Sequence, residues 1–303
     1  MNRSGLEYSE PGGDGFLAAA GCSLSECEEM VREWRANIVR LPFNQDWALN
    51  GRWPNSAEDY LSAIDQMVEW LASLGCYTLL DLQWLSADLE YGTLSAGEVN
   101  RVAPLPNGDT GLLWETLALR YRDEPAVLFD LFNEPHDPLV DDDQPLLAVR
   151  EDGETVALGV RRVSASTWKA WARYLISRIR EPHPDSLIFV GGTRWAYDLR
   201  GMELDLDNIV YSTHVYPGST DHGGPPWPSA FGSFARAHPV FAGEWGGDEA
   251  DLDWGVKLAG YLRALGIGWT SWSWRDRPHL IEAATAWKPT VFGTLVRDEL
   301  REA

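Results

Sequence analysis

The sequence predicts an α/β fold, a single (β/α)8 TIM barrel that spans residues 1–303 and has a short or truncated first strand. Three observations support this prediction. Short apolar runs alternate with amphipathic segments along the whole chain, as in parallel strands joined by helices. A length of 303 residues suits one such barrel. Glu134 and Glu244 each close an apolar run, and their separation of 110 residues fits three βα units of roughly 30–40 residues each.

Seven apolar runs predict the strands that follow the first. They cover residues 37–43, 76–84, 126–132, 186–192, 208–216, 239–245 and 268–274. Helical periodicity predicts helices between them at residues 23–35, 57–74, 109–122, 164–179 and 252–265, with a closing helix after 287. We find no internal repeat and no shift in composition that would mark a second domain.

Two polar loops interrupt this pattern on the catalytic side of the predicted barrel. Residues 148–160, within the long stretch 138–163, predict a small hairpin over the barrel mouth that shapes one end of a cleft, with Asp152-Gly153 at its turn. The consecutive acids Asp141, Asp142 and Asp143 lack the alternation of a calcium loop and favour a solvated loop. Residues 218–228 are rich in glycine and proline and predict a second loop.

Composition narrows the class of ligand. A net charge of −21 argues against nucleic acid, because phosphate binding requires positive charge. The 16 tryptophans exceed what packing requires, and flat apolar rings suit the C–H faces of sugars. Three cysteines are too few for a disulfide framework, although Cys22 and Cys27 could pair.

The sequence leaves the cellular location open. No run approaches the roughly 18 apolar residues of a membrane span, so we expect no membrane insertion. Residues 16–22 superficially resemble a lipoprotein cleavage site, but the run is short and acids precede it. Secretion is plausible if a leader has been trimmed, and a cytoplasmic location is the alternative.

Glu134 and Glu244 are the strongest catalytic candidates. A carboxylate at the carboxyl end of a buried parallel strand lies where barrel enzymes place their chemistry. The alternative for Glu134 is a cap on the following helix. Arg40 interrupts another apolar run and, if buried, requires a carboxylate partner, either in a core ion pair or in the site.

These residues carry a resemblance to a known family. With Asn133-Glu134-Pro135, the strand-end Glu244 and the pair His214-x-Tyr216, the chain resembles glycoside hydrolase family 5, the retaining (β/α)8 cellulases and mannanases. The resemblance implies that Glu134 is the acid/base and Glu244 the nucleophile. It also identifies residues 2–8 as the end of the first strand and its following loop.

The resemblance further implies a set of supporting residues. Arg40 and Tyr216 would donate hydrogen bonds to Glu244 and lower its pKa, while burial and negative charge would raise that of Glu134. Asn133 would bind the sugar 2-hydroxyl, His214 would lie beside the acid/base, and Trp272 would stack under the sugar being cleaved. Since the family retains anomeric configuration, we expect carboxyl groups about 5–5.5 Å apart.

One position departs from the family. Asp81-Leu82-Gln83 stands where Asp-x-His is usual, and Gln83 can bind a sugar hydroxyl but cannot carry positive charge. Four further aromatic residues are candidates for sugar subsites, with packing as the alternative for each: Trp84, Trp195, Trp227 and Trp274.

We therefore expect a monomeric retaining hydrolase of β-linked glycans, without metal or cofactor and without nucleic-acid or membrane partners. An endo-acting β-1,4-glucanase is the first substrate class. A β-mannanase or another β-glycanase or β-glucosidase of the family is the second. A carbohydrate-binding barrel that has lost turnover is a further alternative, favoured only by Gln83. A metal-dependent hydrolase is disfavoured because no His-x-His pair occurs at the strand ends.

Overall fold

The computed structural model describes residues 1–85, 103–137, 146–159, 162–220, 224–282 and 287–302. Seven parallel strands form one curled sheet in the order β1-β2-β3-β6-β7-β8-β9. They are β1 (Ile38–Asn44), β2 (Tyr77–Trp84), β3 (Val127–Asp130), β6 (Ile188–Gly191), β7 (Ile209–Val215), β8 (Val240–Trp245) and β9 (Gly268–Trp269). Since all seven are parallel, their carboxyl ends meet at one face.

The N-terminal segment closes the sheet into a barrel. Asn2 forms a parallel bridge with Arg40 on β1, and the amide of Arg3 donates to the carbonyl of Arg40 at 2.9 Å. On the other side, the amide of Asn2 donates to the carbonyl of Ser271, and the amide of Trp274 donates to that of Asn2. A very short first strand therefore occupies the eighth position, and the predicted (β/α)8 barrel is confirmed.

The last strand is shorter than predicted. Regular strand geometry covers only Gly268–Trp269 of the expected run 268–274. The chain nevertheless stays beside β8, because the amide of Thr270 donates to Ala242 and that of Trp272 to Trp245, each at 2.9 Å. This contact keeps Trp272 at the mouth of the barrel.

Alternation along the strands builds layers inside the barrel. Leu79, Asp81 and Gln83 follow one another on the inward side of β2, so the interior changes from apolar to charged to the open mouth. The apolar layer is a cluster of its own, separate from the main core: Leu79, Leu128 and Phe189, with Ile38, Leu187, Val210 and Phe241 packed against it. In the next layer Asp81 is the direct register partner of Asp130 on β3.

Helices surround the barrel and enclose the main hydrophobic core. They are α1 (Gly15–Ala20), α2 (Leu24–Glu28), α3 (Gln45–Asn50), α4 (Ala57–Ser73), α5 (Thr110–Arg120), α6 (Ala165–Arg180), α7 (Leu252–Ala264) and α8 (Val291–Glu302). The predicted helix 23–35 begins as expected, with Ser23 capping α2, but continues from residue 29 to 33 as a π-helical turn. Among the described residues no helix has the length and apolar character needed to cross a membrane.

More of the tryptophans pack in the interior than the composition led us to expect. Nine of the 16 are buried: Trp34, Trp47, Trp84, Trp114, Trp168, Trp171, Trp245, Trp272 and Trp274. The three cysteines are unpaired, so Cys22 and Cys27 form no disulfide. The abundance of tryptophan alone is therefore weaker evidence for a sugar ligand than its placement.

The predicted hairpin exists but lies elsewhere than expected. Strands β4 (Leu147–Val149) and β5 (Thr155–Ala157) pair antiparallel around Asp152-Gly153. Nε1 of Trp171 donates to the carbonyl of Leu147, and Gly153 packs close to the ring of Tyr174, so the hairpin descends along α6. The expectation that it covers the barrel mouth is wrong. The run of three acids at 141–143 lies outside the described residues.

Candidate active site

The two glutamates lie together at the carboxyl ends of their strands. Glu134 follows β3, and Glu244 belongs to β8. One oxygen of each carboxyl and one ring nitrogen of His214 all lie within 4.8 Å of one another. Two carboxyls at this spacing fall near the short separation typical of retaining glycosidases, roughly 5 Å, rather than the 6.5 Å or more that admits a water molecule between them.

Glu244 is held from both sides. Nη1 of Arg40 donates to its Oε1 at 2.8 Å, and the hydroxyl of Tyr216 donates to its Oε2 at 2.7 Å. These are the two contacts that we expected. Burial nevertheless raises the pKa of Glu244, and the opposing effects of His214, Arg40 and Tyr216 do not reverse it. The expectation of a lowered pKa is therefore wrong, because the sequence reveals the hydrogen-bond partners but not the loss of water.

Glu134 has a different environment. Its side chain is 18% exposed, and Nδ1 of His214 lies 2.9 Å from its Oε1. Burial raises the pKa of Glu134 to about 7, although Arg40 acts in the opposite direction. Burial lowers the pKa of His214 to about 4, so this histidine is neutral near pH 7. A carboxyl that holds its proton up to neutrality beside a neutral histidine can act as a general acid.

Arg40 is the hub beneath the site and is fully buried. Nε donates to Asp130 at 2.9 Å, and Nη2 donates to Oδ1 of Asn133 at 2.8 Å. Nη2 also lies 2.8 Å from Asp81 in an ion pair, yet neither carboxylate oxygen of Asp81 accepts a hydrogen bond from the described residues. Burial opposes the charge of Arg40, but Asp81, Asp130 and Glu244 outweigh it and raise its pKa.

The cluster around Glu134, His214 and Glu244 has donor types that could hold a metal ion. Two observations disfavour this use. Nδ1 of His214 is already at hydrogen-bond distance from Glu134. The guanidinium of Arg40 already pairs with Glu244 at 2.8 Å and offsets its negative charge.

The glutamates open into a cleft of about 780 Å³. Trp272 lines it and is positioned by a 3.2 Å hydrogen bond from its Nε1 to the carbonyl of Arg277. Gln83 also lines it, and its Oε1 is buried without a hydrogen-bond partner among the described residues. Asn133 is almost fully buried, and its side-chain oxygen accepts from Nη2 of Arg40 at 2.8 Å.

Trp195 lines the same cleft and is presented by an unusual turn. Three successive residues, Arg194, Trp195 and Ala196, have positive φ angles of 56°, 61° and 57°, a conformation that is costly for residues with a side chain. The turn places the indole flat against His136, with ring centroids 3.7 Å apart at 8°. Trp195 is 37% exposed, so it can offer a ring face to a ligand.

The other aromatic candidates do not line this cleft. Trp274 is fully buried, where its ring packs on Trp34 and its Nε1 donates to Glu26, so a subsite at Trp274 is ruled out. Trp84 is only 8% exposed and packs beside Tyr8, and Trp227 lies at a separate pocket. The sequence predicted that all of these tryptophans lie near the barrel mouth. Their side chains point away from the catalytic cleft, which the sequence did not reveal.

Two charged residues of the site were missed. Asp81 and Asp130 both contact Arg40 from neighbouring strands. The sequence contained a signal for both residues, because each is an aspartate on the inward side of an apolar strand, where a charge is costly unless it has a partner. The reasoning that identified Arg40, a charged residue within an apolar run, would also have identified them.

Comparison with known proteins agrees with this geometry. The model of the family described as Cellulase (glycosyl hydrolase family 5) matches residues 9–278. The chain belongs to glycosyl hydrolase family 5. Endoglucanase MaCel5A of Microbulbifer sp. (strain ALW1) is 23% identical over 265 residues, which are 82% of this chain and 43% of that protein. The chain spans about half the length of the curated relatives it matches.

Solved structures of the family share the fold. The native form of β-glucanase SdGluc5_26A from Saccharophagus degradans aligns with a TM-score of 0.72 at 21% identity, covering 100% of this chain and 88% of that chain. The catalytic domain of endoglucanase Cel5A (E5) of Thermobifida fusca, in a complex with cellotetraose, aligns with a TM-score of 0.68 at 19% identity, covering 99% of this chain and 90% of that chain. At these identities the likeness establishes the (β/α)8 fold.

Proposed function

We propose that this chain is a retaining endo-β-1,4-glucanase in which Glu134 is the acid/base and Glu244 the nucleophile. The main support is the pair of strand-end carboxyls, with oxygens within 4.8 Å, in two different environments. Glu134 has a pKa of about 7 and can supply a proton, while Glu244 receives hydrogen bonds from Arg40 and Tyr216 that favour its ionised form.

In the first step a carboxylate oxygen of Glu244 attacks the anomeric carbon, and the bond to the leaving oxygen breaks. Glu134 delivers its proton to that oxygen, which departs as a hydroxyl group of the shortened chain. The bond from Glu244 to the sugar is an ester, so the positive charge of Arg40 then faces a neutral group. Asp130, hydrogen-bonded to Nε, keeps the guanidinium paired in this state.

In the second step the roles reverse. Ionised Glu134 takes a proton from water, whose oxygen attacks the anomeric carbon and displaces Glu244. His214 assists in both steps as a neutral hydrogen-bond partner within 2.9 Å of Glu134. Because the sugar carbon is inverted twice, the product keeps its original configuration.

The cleft supplies the substrate contacts. Asn133, whose side-chain oxygen is held by Arg40, would donate from its amide group to the sugar 2-hydroxyl, and Trp272, which lines the cleft, would offer a ring face beneath the sugar being cleaved. Trp195, backed by His136, would carry a sugar on the other side of the scissile bond. Gln83 adds a carbonyl acceptor for one hydroxyl group.

The choice of β-1,4-glucan rests on relatives, since several curated ones are endoglucanases and three similar solved structures contain cellotetraose. Internal cleavage is supported by the hairpin, whose described residues lie along α6 and do not line the cleft. β-Mannan is the second candidate, because Gln83 lines the cleft where the family usually has histidine, and this difference can alter which sugar hydroxyls are recognised.

The test is reducing-sugar release from carboxymethylcellulose, barley β-glucan, mannan, xylan and laminarin. We expect activity on the β-1,4-linked glucans, reduced on the order of a thousandfold or more in Glu134→Gln and in Glu244→Gln.

A second experiment distinguishes the acid/base from the nucleophile by adding azide as an external nucleophile, with an activated aryl cellobioside as the substrate. Glu134→Ala should yield the β-glycosyl azide through the covalent intermediate, and Glu244→Ala the α-glycosyl azide by direct displacement.

Activity on mannan alone would replace the substrate class but keep the mechanism. Full activity of either glutamine variant would overturn the assigned roles. No turnover of any polymer or aryl glycoside, with unchanged sugar binding in both variants, would favour a binding barrel.

A further inference from the structure

A second cavity, of about 490 Å³, lies beside the catalytic cleft. It is formed between the loop after β7 and the start of α7. Its described lining consists of Tyr216, Pro217, Gly218, Thr220, Pro226, Trp227, Pro228, Asp251 and Trp254. Tyr216 and Pro217 also line the catalytic cleft, so they form a wall shared by the two cavities.

Two indoles dominate this second pocket. The rings of Trp227 and Trp254 meet edge to face with centroids 6.2 Å apart, and Trp227 also packs on Tyr261 at 5.6 Å. Both tryptophans are only half-buried, in contrast to the seven that belong to the hydrophobic core. Their surfaces that are not used for packing therefore face the pocket, and an aromatic face of this kind suits the C–H face of a pyranose ring.

The polar groups of the pocket favour a neutral ligand. Asp251 caps the turn before α7 by accepting from the amide of Asp248 through Oδ2, at 2.9 Å, and Oδ1 has no partner among the described residues. Asp248, Glu249 and Asp253 are close in sequence, so the rim is negative and disfavours phosphates and uronic acids. A carboxylate and the hydroxyl of Thr220 together match sugar hydroxyl groups, which donate and accept.

Hydrogen bonds and prolines hold the described residues of the pocket wall. The hydroxyl of Tyr197 donates to the carbonyl of Pro225 at 2.6 Å, and the amide of Tyr216 donates to the side chain of Ser219 at 3.1 Å. Prolines at 217, 225, 226 and 228 restrict the backbone further. A rigid site loses little conformational entropy on binding.

We propose that this pocket is a second carbohydrate site that binds a neutral pyranosyl unit of a β-glucan segment outside the catalytic cleft. Trp254 stacks on the ring, Trp227, whose plane is turned by 73° from that of Trp254, contacts its edge, and Asp251 accepts from its hydroxyls. The site rests on the proposed function for its ligand class. Through the Tyr216–Pro217 wall it holds polymer next to the catalytic cleft, so it contributes to binding of long chains and little to that of short ones.

The test compares Trp254→Ala with Trp53→Ala as a matched control. Trp53 is 91% exposed and lines neither pocket, so its removal deletes an accessible indole without touching the site. Binding of barley β-glucan is measured by affinity gel electrophoresis in the Glu134→Gln background. We expect about a fivefold or larger loss of affinity in Trp254→Ala and no change in Trp53→Ala.

A second variant, Thr220→Trp, fills the pocket and leaves the Trp227–Trp254 contact in place, so it tests occupancy without loss of packing. In the active enzyme, both pocket variants should raise KM for β-glucan relative to KM for 4-nitrophenyl cellobioside. Wild-type affinity for β-glucan in both pocket variants, or an equal loss in Trp53→Ala, would overturn the proposal. Failure of the wild type to hydrolyse either substrate would instead overturn the proposed function, because the binding assay needs no turnover.

Discussion

The lower and middle layers of the barrel interior are built from the same strands but differ in chemistry. Leu79 and Leu128 lie in an apolar cluster, and two residues farther along each strand stand Asp81 and Asp130, buried around Arg40. The lower layer gains free energy from burial, whereas the middle layer loses hydration of several charged groups. The difference indicates that the fold is stabilised below the site and that the site is maintained at a cost in stability.

The largest expected effects come from one substitution in each layer, and they should differ in whether catalysis is lost together with stability. Arg40→Leu leaves three buried carboxyls without their cation, and we expect the free energy of unfolding to fall by roughly 3–5 kcal/mol, with catalysis lost. Leu128→Ala creates a cavity and should cost roughly 2–5 kcal/mol while the kcat of the folded enzyme stays near wild type. Urea unfolding and kcat for β-glucan check both. An active Arg40→Leu enzyme would contradict the central role of this arginine.

A smaller effect concerns the acid/base alone. The pKa of Glu134 is about 7 when folded, against an ordinary value of 4.5, so the folded state holds this proton more tightly than the unfolded state. Stability from this group is therefore present at low pH and lost as pH rises from about 4.5 to 7. Glu134→Gln should raise the free energy of unfolding by up to about 3 kcal/mol at pH 8 and change it little at pH 4.

Chemical denaturation at both pH values measures this. Equal stabilisation at pH 4 and pH 8 would mean that the effect is not the titration of Glu134. In the active wild type the same proton predicts a decline in kcat/KM as the pH rises through about 7.

The smallest effect lies within the middle layer. Asp81 faces Arg40, Asp130, Glu244 and Glu7, and burial raises its pKa well above the ordinary value. Burial raises the pKa of Asp130 as well, but Asp130 accepts a hydrogen bond from Arg40 and Asp81 accepts none among the described residues, so we expect Asp81 to be the carboxyl of this pair that takes up a proton first. Asp81→Asn then removes less negative charge than Asp130→Asn and should leave the acidic limb of kcat/KM within about 0.3 pH units.

Asp130→Asn removes a negative charge instead. The ionised form of Glu244 becomes easier to reach, so the acidic limb should move to lower pH by about one unit. The matched pair is measured as kcat/KM between pH 3 and pH 8 on β-glucan. Equal shifts in both variants would place a negative charge on Asp81 as well.

Much of the site could be predicted from sequence because strand ends converge in a barrel. Asn133, Glu134, His214 and Glu244 each close a recognisable strand, and the structure brings them together. The direction of side chains that follow the end of a strand was harder to predict from the sequence. Trp272 lines the cleft, but Trp274, two residues on, is buried on Trp34, because its amide pairs with the short first strand at Asn2.

Long-range packing and loss of water were also hidden from the sequence. The hairpin follows α6 because Trp171 donates a hydrogen bond to its backbone and the ring of Tyr174 packs against its turn. No local sequence pattern predicts these contacts. The direction of the pKa shift of Glu244 required its burial, whereas its hydrogen-bond partners could be inferred.

The position of that hairpin also makes its turn suitable for immobilising the enzyme on a solid support. Its exposed turn residue Asp152 lies near Tyr174, nine residues into α6, so it is roughly 14 Å along the helix from the catalytic face. A cysteine or peptide tag introduced at this turn would anchor the enzyme to a bead or a scaffold by its side wall. The mouth of the cleft would then point away from the attachment and stay accessible to long polymers.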